Sequence, residues 1–243
     1  MDRDTYLAHL ADDGRRMADL ARGDLGAKVP TCPGWTLEDL IEHTGRVHRW
    51  MTAATREQTD GSPEAAKADD PANGESWGDW FQRGVDEAVR VMSSLDGTET
   101  RWTWFAPDQT AGWYFRRIAQ ETLVHRIDAE LAAGGEVSDV DPEFAVDGVN
   151  EMCDVFIPSA AGQPIGGNGK TLHLHATDAD GEWLLTLHPD RVDVARGHVK
   201  GDADLRGSAR DLLLAVWGRD PLGEVEQFGD ESVIATFKAA AKI

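Results

Sequence analysis

Apolar residues recur at helical spacing through the first half of the chain and at alternate positions through part of the second. Tyr6, Leu7, Leu10, Met17 and Leu20 predict a helix over 4–22, ended by Gly23 and Gly26. Leu37, Leu40, Ile41, Val47 and Met51 predict a second helix running to about Thr55, with Thr36 and Asp39 spaced as a capping box. Between them, Val29-Pro30-Thr31-Cys32-Pro33-Gly34-Trp35 reads as a turn-rich loop. Ser76 is placed to cap a third helix over 76–95, which packs through Trp77, Trp80, Phe81, Val85, Val89 and Met92 and stops at Gly97. A fourth spans 110–133 and ends at Gly134-Gly135. It is apolar on two sides, one with Leu123, Val124, Ile127 and Leu131, the other with Tyr114, Ile118, Ala129 and Ala132, so it belongs at the centre of its domain. The polar stretch 56–75 predicts an exposed loop. The stretch 98–110 predicts a loop whose Trp102, Trp104 and Phe105 pack over a core.

The texture changes after Gly135. Phe144, Val149, Met152 and Phe156 predict one more helix over 143–157, followed by a Gly/Pro/Ala linker from Pro158 to Gly169. From residue 171 the period becomes two, through Leu172-His173-Leu174-His175, Glu182 to His188, and Arg191 to Val194, with Asp178 to Gly181 as a hairpin turn. Ser208 opens a helix that ends at Gly218, and a final helix covers 230–241. The fold class expected is α+β: a four-helix bundle over 1–150, then a smaller α+β domain over 151–243.

With 243 residues the chain can bury a substantial core, and 41% apolar with 28% charged residues is the composition of a soluble globular protein. The polar start, Met1-Asp2-Arg3-Asp4, predicts no signal peptide, and no apolar run is long enough to span a bilayer, so a cytoplasmic protein without a membrane partner is expected. Two cysteines make no disulfide framework. A net charge of −20 repels phosphate backbones and argues against nucleic acid.

The candidate chemistry lies on the fourth helix. Glu121 and His125 are four apart, on one face, among apolar neighbours. A carboxylate and an imidazole on such a stripe need a partner, and a metal ion suits both. Spacing does not supply a third ligand. On the second helix, periodicity turns His48 inward and leaves His43 at the edge of the stripe. His173 and His175 share a strand face and could bind a metal together, but the pattern favours an exposed or interface sheet face. Cys32 reads as a packed loop residue, Cys153 as core, and Arg126, one position from His125, as structural.

Pro33-Gly34-Trp35-Thr36, a histidine eight residues after the tryptophan, and Glu121-Thr122-Leu123-Val124-His125-Arg126 on a long helix resemble the mycothiol-dependent maleylpyruvate isomerase family, part of the DinB-like bundle superfamily. The resemblance covers nearly the whole chain. It implies a divalent metal, usually zinc, held at His43, Glu121 and His125, while the periodicity of the second helix keeps His48 as the alternative to His43. It further implies mycothiol as a thiol cofactor or cosubstrate, a small electrophilic substrate, and Arg219 of Trp217-Gly218-Arg219 as a cation in the site. Such a protein would be a monomer or homodimer. Two rival functions fit the same pattern: a binding or regulatory protein that keeps the fold, and a metal hydrolase with Asp128 as general base.

Overall fold

The computed structural model describes residues 1–57, 69–160, 165–219 and 225–240. Most of the loop expected over 56–75, and part of the linker before residue 169, lie outside these residues. The chain divides into two compact units, 1–138 and 139–243.

The first unit is built on α1 (Arg3–Leu20), α2 (Leu37–Glu57), α3 (Trp77–Ser93) and α4 (Ala111–Ala132). Both α1 and α2 pack against both α3 and α4. The helix starts follow from the capping residues. The Thr36 N–H donates to the Asp39 carboxylate at 2.8 Å while the Asp39 N–H donates to Thr36 Oγ1 at 3.3 Å, closing a capping box. Ser76 Oγ accepts from the Asp79 N–H at 3.1 Å. Helix α4 is buried on nearly all sides, polar residues Arg117, Gln120, Thr122 and Asp128 included, as a helix with two apolar faces must be. Arg126 ties it to α1 through Asp13 at 3.2 Å and closes a turn on Glu130 at 2.8 Å. Close helix contact depends on Gly45, where a Cβ would lie 2.2 Å from the Trp80 ring.

The loop over 98–110 departs from expectation. Trp102 and Trp104 are exposed. The loop is held by polar bonds rather than by ring burial: Gln109 Nε2 donates to the Thr103 and Phe105 carbonyls, both at 3.0 Å, and Arg101 Nε donates to the Thr55 carbonyl at 2.7 Å.

In the second unit, α5 (Pro142–Glu151) runs on through a π-helical segment, Met152–Phe156, and a short helical turn, Ile157–Ser159. The unit begins ahead of residue 150 because α5 buries Phe144, Ala145 and Val149 and packs on α6 (Ala209–Val216). Five strands, β1 (Thr171–Ala176), β2 (Glu182–Leu187), β3 (Val192–Arg196), β4 (Ala203–Gly207) and β5 (Glu226–Gly229), form one sheet in the order β3-β2-β1-β4-β5. The β1–β4 pair is parallel and the others are antiparallel. Leu172, Leu174, Trp183, Leu185, Leu187, Ala203 and Leu205 are buried, and α6 and α7 (Glu231–Ala240) pack on β1 and β4. No helix among the described residues is long and apolar enough to cross a membrane.

Candidate metal centre

The Thr31–Thr36 loop and helices α2 and α4 assemble one site in the bundle. Glu121 lies between two imidazoles: its Oε1 is 3.5 Å from His43 Nε2 and 3.3 Å from His125 Nε2. A tetrahedral ion with bonds of about 2.1 Å separates its donors by roughly 3.4 Å. The three residues are one of three groups of ligand-bearing side chains that close to within 4.8 Å among the described residues.

Supporting contacts fix each member. The second oxygen of Glu121 accepts from Arg117 Nη2 at 2.6 Å, so a buried guanidinium balances the carboxylate. His125 Nδ1 lies 2.9 Å from the Asp128 carboxylate and donates to it, so the nitrogen beside Glu121 and His43 is Nε2, the one that gains a lone pair when the ring gives up its other proton. Asp128 also accepts from Thr31 Oγ1 at 2.5 Å and from the Cys32 thiol at 3.7 Å. Through these bonds the proline-rich loop is anchored to α4. Within the loop the Trp35 N–H donates to the Cys32 carbonyl at 3.0 Å, and Gly34 takes φ +92°, which suits glycine. The Trp35 ring then packs on His43 with centroids 5.0 Å apart, and the His43 and His125 rings meet edge-on at 5.3 Å. His43, half exposed, also lines a recess of about 350 Å³ with Gly34, Trp35, Asp39, Glu42 and Arg46. A larger recess of about 870 Å³, between α2 and α3, is lined by Arg–carboxylate pairs and contains none of the three.

The electrostatics are those of a charged group in a dry place. Burial would push Glu121 up, but His125, Arg117 and the hydrogen bonds from both histidines hold it well below the usual carboxylate range. Burial would likewise depress His125, and the Glu121 and Asp128 carboxylates outweigh it, raising the imidazole to about 9.

His48 goes elsewhere. It is inward, as periodicity required, but inward means core: fully buried, it lies 2.8 Å from Thr122 Oγ1 and beside Phe81. Thr122 gives its own proton to the Ile118 carbonyl, so His48 is the Nε2–H tautomer and its Nδ1 has no donor. Burial lowers its pKa to about 3. His48 belongs to no ligand group among the described residues. Arg219 lies in the second unit, just past α6, with its Nη1 donating to the Trp217 carbonyl at 2.7 Å. Sequence reasoning raised Asp128 only as the general base of the rival hydrolase and did not connect it with the orientation of His125. In the structure it is a fully buried carboxylate that accepts from Thr31, Cys32 and His125, an arrangement suited to orienting His125. Its spacing, three after His125 on the same helix, was the available signal.

A family model described as the mycothiol maleylpyruvate isomerase N-terminal domain matches residues 7–130, and one for the C-terminal domain of that family matches 143–236. Among solved structures, the chain is similar to a mycothiol-dependent maleylpyruvate isomerase, with 14% identity and a TM-score of 0.60, and to a histidine-to-alanine mutant of such an isomerase, with 13% identity and a TM-score of 0.64. Each alignment covers 93% of both chains. At that identity the likeness is one of fold. The chain has no match among curated protein sequences.

Proposed function

The chain belongs to the mycothiol maleylpyruvate isomerase family, and from that premise and the bundle site we propose that it is a metal-dependent enzyme that uses mycothiol as the nucleophile toward an electrophilic small molecule. The observation that carries the proposal is the convergence of His43 Nε2, His125 Nε2 and Glu121 Oε1. Two imidazoles and a carboxylate are the donor set of a catalytic zinc site with one position left for a ligand, so these residues fit the ion that the family implies. When bound, a divalent ion there supplies the positive charge that keeps a coordinated thiol deprotonated at neutral pH.

The chain's own residues prepare the place. Arg117 keeps Glu121 ionised, and Asp128 holds the Nδ1 proton of His125 so that Nε2 is the nitrogen that gains a lone pair when the ring gives up its other proton. Trp35 limits the ring positions open to His43. Counting Glu121 and Asp128 as −1 each and Arg117 as +1, the supporting groups sum to −1 with neutral imidazoles. That charge favours a divalent cation and, once it is bound, an anionic sulfur. The thiolate adds to an electrophilic carbon of the substrate, forming a C–S bond as the C=C π bond opens. The π electrons pass to the neighbouring carbon and its electron-withdrawing group; rotation followed by expulsion of the same thiolate restores the double bond as its isomer, whereas taking a proton from solvent at that carbon retains the sulfur as an S-conjugate. Arg219 is proposed as the cation for an anionic substrate on the strength of the family resemblance at Trp217-Gly218-Arg219.

Incubating the protein with mycothiol and a panel of electrophiles, and following products by mass, tests the reading. Unchanged mass with altered retention marks isomerisation, and a gain of the thiol's mass marks transfer. If the full protein accelerates neither over mycothiol alone, the proposal is wrong. Arg219→Ala should raise KM for an anionic substrate by roughly 10–100-fold, the equivalent of one hydrogen-bonded charge, with a smaller change for an uncharged one. Equal effects on both substrates would remove Arg219 from the site.

A further inference from the structure

The second unit holds another convergence of metal-binding side chains that the reaction does not use. His173 and His175 share the polar face of β1, and Glu182 on β2 stands directly opposite His175 in the register. The fourth member comes from topology. Because β3 is the edge strand and β4 lies on the far side of β1, the β3–β4 connection must cross β2 and β1. It turns at Gly197, at φ +127°, and lies so close to β1 that a Cβ on Gly201 would sit 2.9 Å from the His173 backbone nitrogen. This crossing brings His198 over the strand histidines.

Three imidazoles thereby surround one carboxylate. Glu182 is 3.1 Å from His173 Nε2, 3.4 Å from His175 Nδ1 and 2.7 Å from His198 Nδ1. The rings form a near-equilateral triangle, with centroids 5.9, 5.8 and 5.9 Å apart and planes close to perpendicular. His173 is buried, with Asp204 3.0 Å from its Nδ1 and Glu182 on its Nε2. A neutral imidazole carries one N–H and can satisfy only one of two carboxylates, so the lone pair of the other nitrogen faces an acceptor. Three imidazolium ions around Glu182 would answer that at the expense of mutual repulsion. A cation between them answers it without repulsion, and Asp204 then orients His173 as Asp128 orients His125.

We propose that His173, His175, Glu182 and His198 form a second metal site, independent of the bundle centre, that takes a divalent transition-metal ion of the zinc, nickel or cobalt class. Nitrogen-rich donor sets with one carboxylate select such ions over calcium or magnesium. Bound there, the ion pins the crossing loop to the sheet.

The test is a zinc titration of the metal-free full chain against a chromophoric chelator. Wild type should take up about two tight equivalents, and His175→Ala/His198→Ala and His43→Ala about one each. Equal uptake by wild type and the His175→Ala/His198→Ala variant overturns the proposal. A single equivalent that this variant loses supports the sheet site and removes the bundle site; a single equivalent that it keeps does the reverse. His198 is mostly exposed, so His198→Ala alone leaves the fold in place. It should weaken zinc binding at this site at least about 10-fold, and unchanged affinity would equally overturn the proposal.

Discussion

At the residue scale, the pair on α4 was open to reading from spacing, because a carboxylate and an imidazole four apart on an apolar stripe have one physical arrangement. The histidine on α2 was not. Periodicity reports which side chains face the core, and it rightly turned His48 inward, where it is sealed against Thr122 and Phe81. His43 sits at the rim of the stripe, partly open to solvent, and that is where the proposed ligand has to be if it is also to meet substrate. The assignment of His125 yields a pH prediction. Its imidazole is raised to about 9 in the metal-free protein, so its contribution to stability is present below the unfolded value of about 6.5 and is lost as pH rises through 9. A metal needs the neutral ring, so zinc uptake between pH 7 and 8 should release about one proton and tighten with pH until about 9. Calorimetry in buffers of different ionisation enthalpy measures that proton. In Asp128→Asn the proton yield should fall and zinc affinity drop about 10–100-fold; unchanged values would contradict the orienting role of Asp128.

At the element scale, the long helices and their caps were legible because Thr36, Ser76 and Ser208 each have a partner three residues on, and all three caps form. Two strands were not legible. In β4 only Ala203 and Leu205 are buried, too short an alternation to stand out, and β5 is an edge strand exposed along its whole length. Register there comes from the neighbour, not from the strand's own pattern. The contact between α2 and α3 carries its own prediction. Gly45→Ala would drive a methyl into the ring of Trp80, which is fully buried with Phe81 beside it. Chemical denaturation should show a loss of about 1–3 kcal/mol, and a loss within error would mean that the helices slide apart freely.

At the scale of the whole molecule, alternation that begins at residue 171 announced a second unit, while the limit between the units depends on what α5 packs against, which no local pattern reports. The same is true of the site: α2 and α4 lie far apart in sequence, and only the fold determines which residue of one meets which residue of the other. The family match spans both units, and the proposed chemistry rests on the three side chains that the bundle brings together. The most direct test is spectroscopic. Cobalt-loaded protein titrated with mycothiol should develop a sulfur-to-cobalt charge-transfer band. His43→Ala, Glu121→Ala and His125→Ala should each abolish it, while His198→Ala should keep it. No band in the wild type, or a band that survives all three bundle substitutions, would contradict a metal-held thiolate at His43, Glu121 and His125.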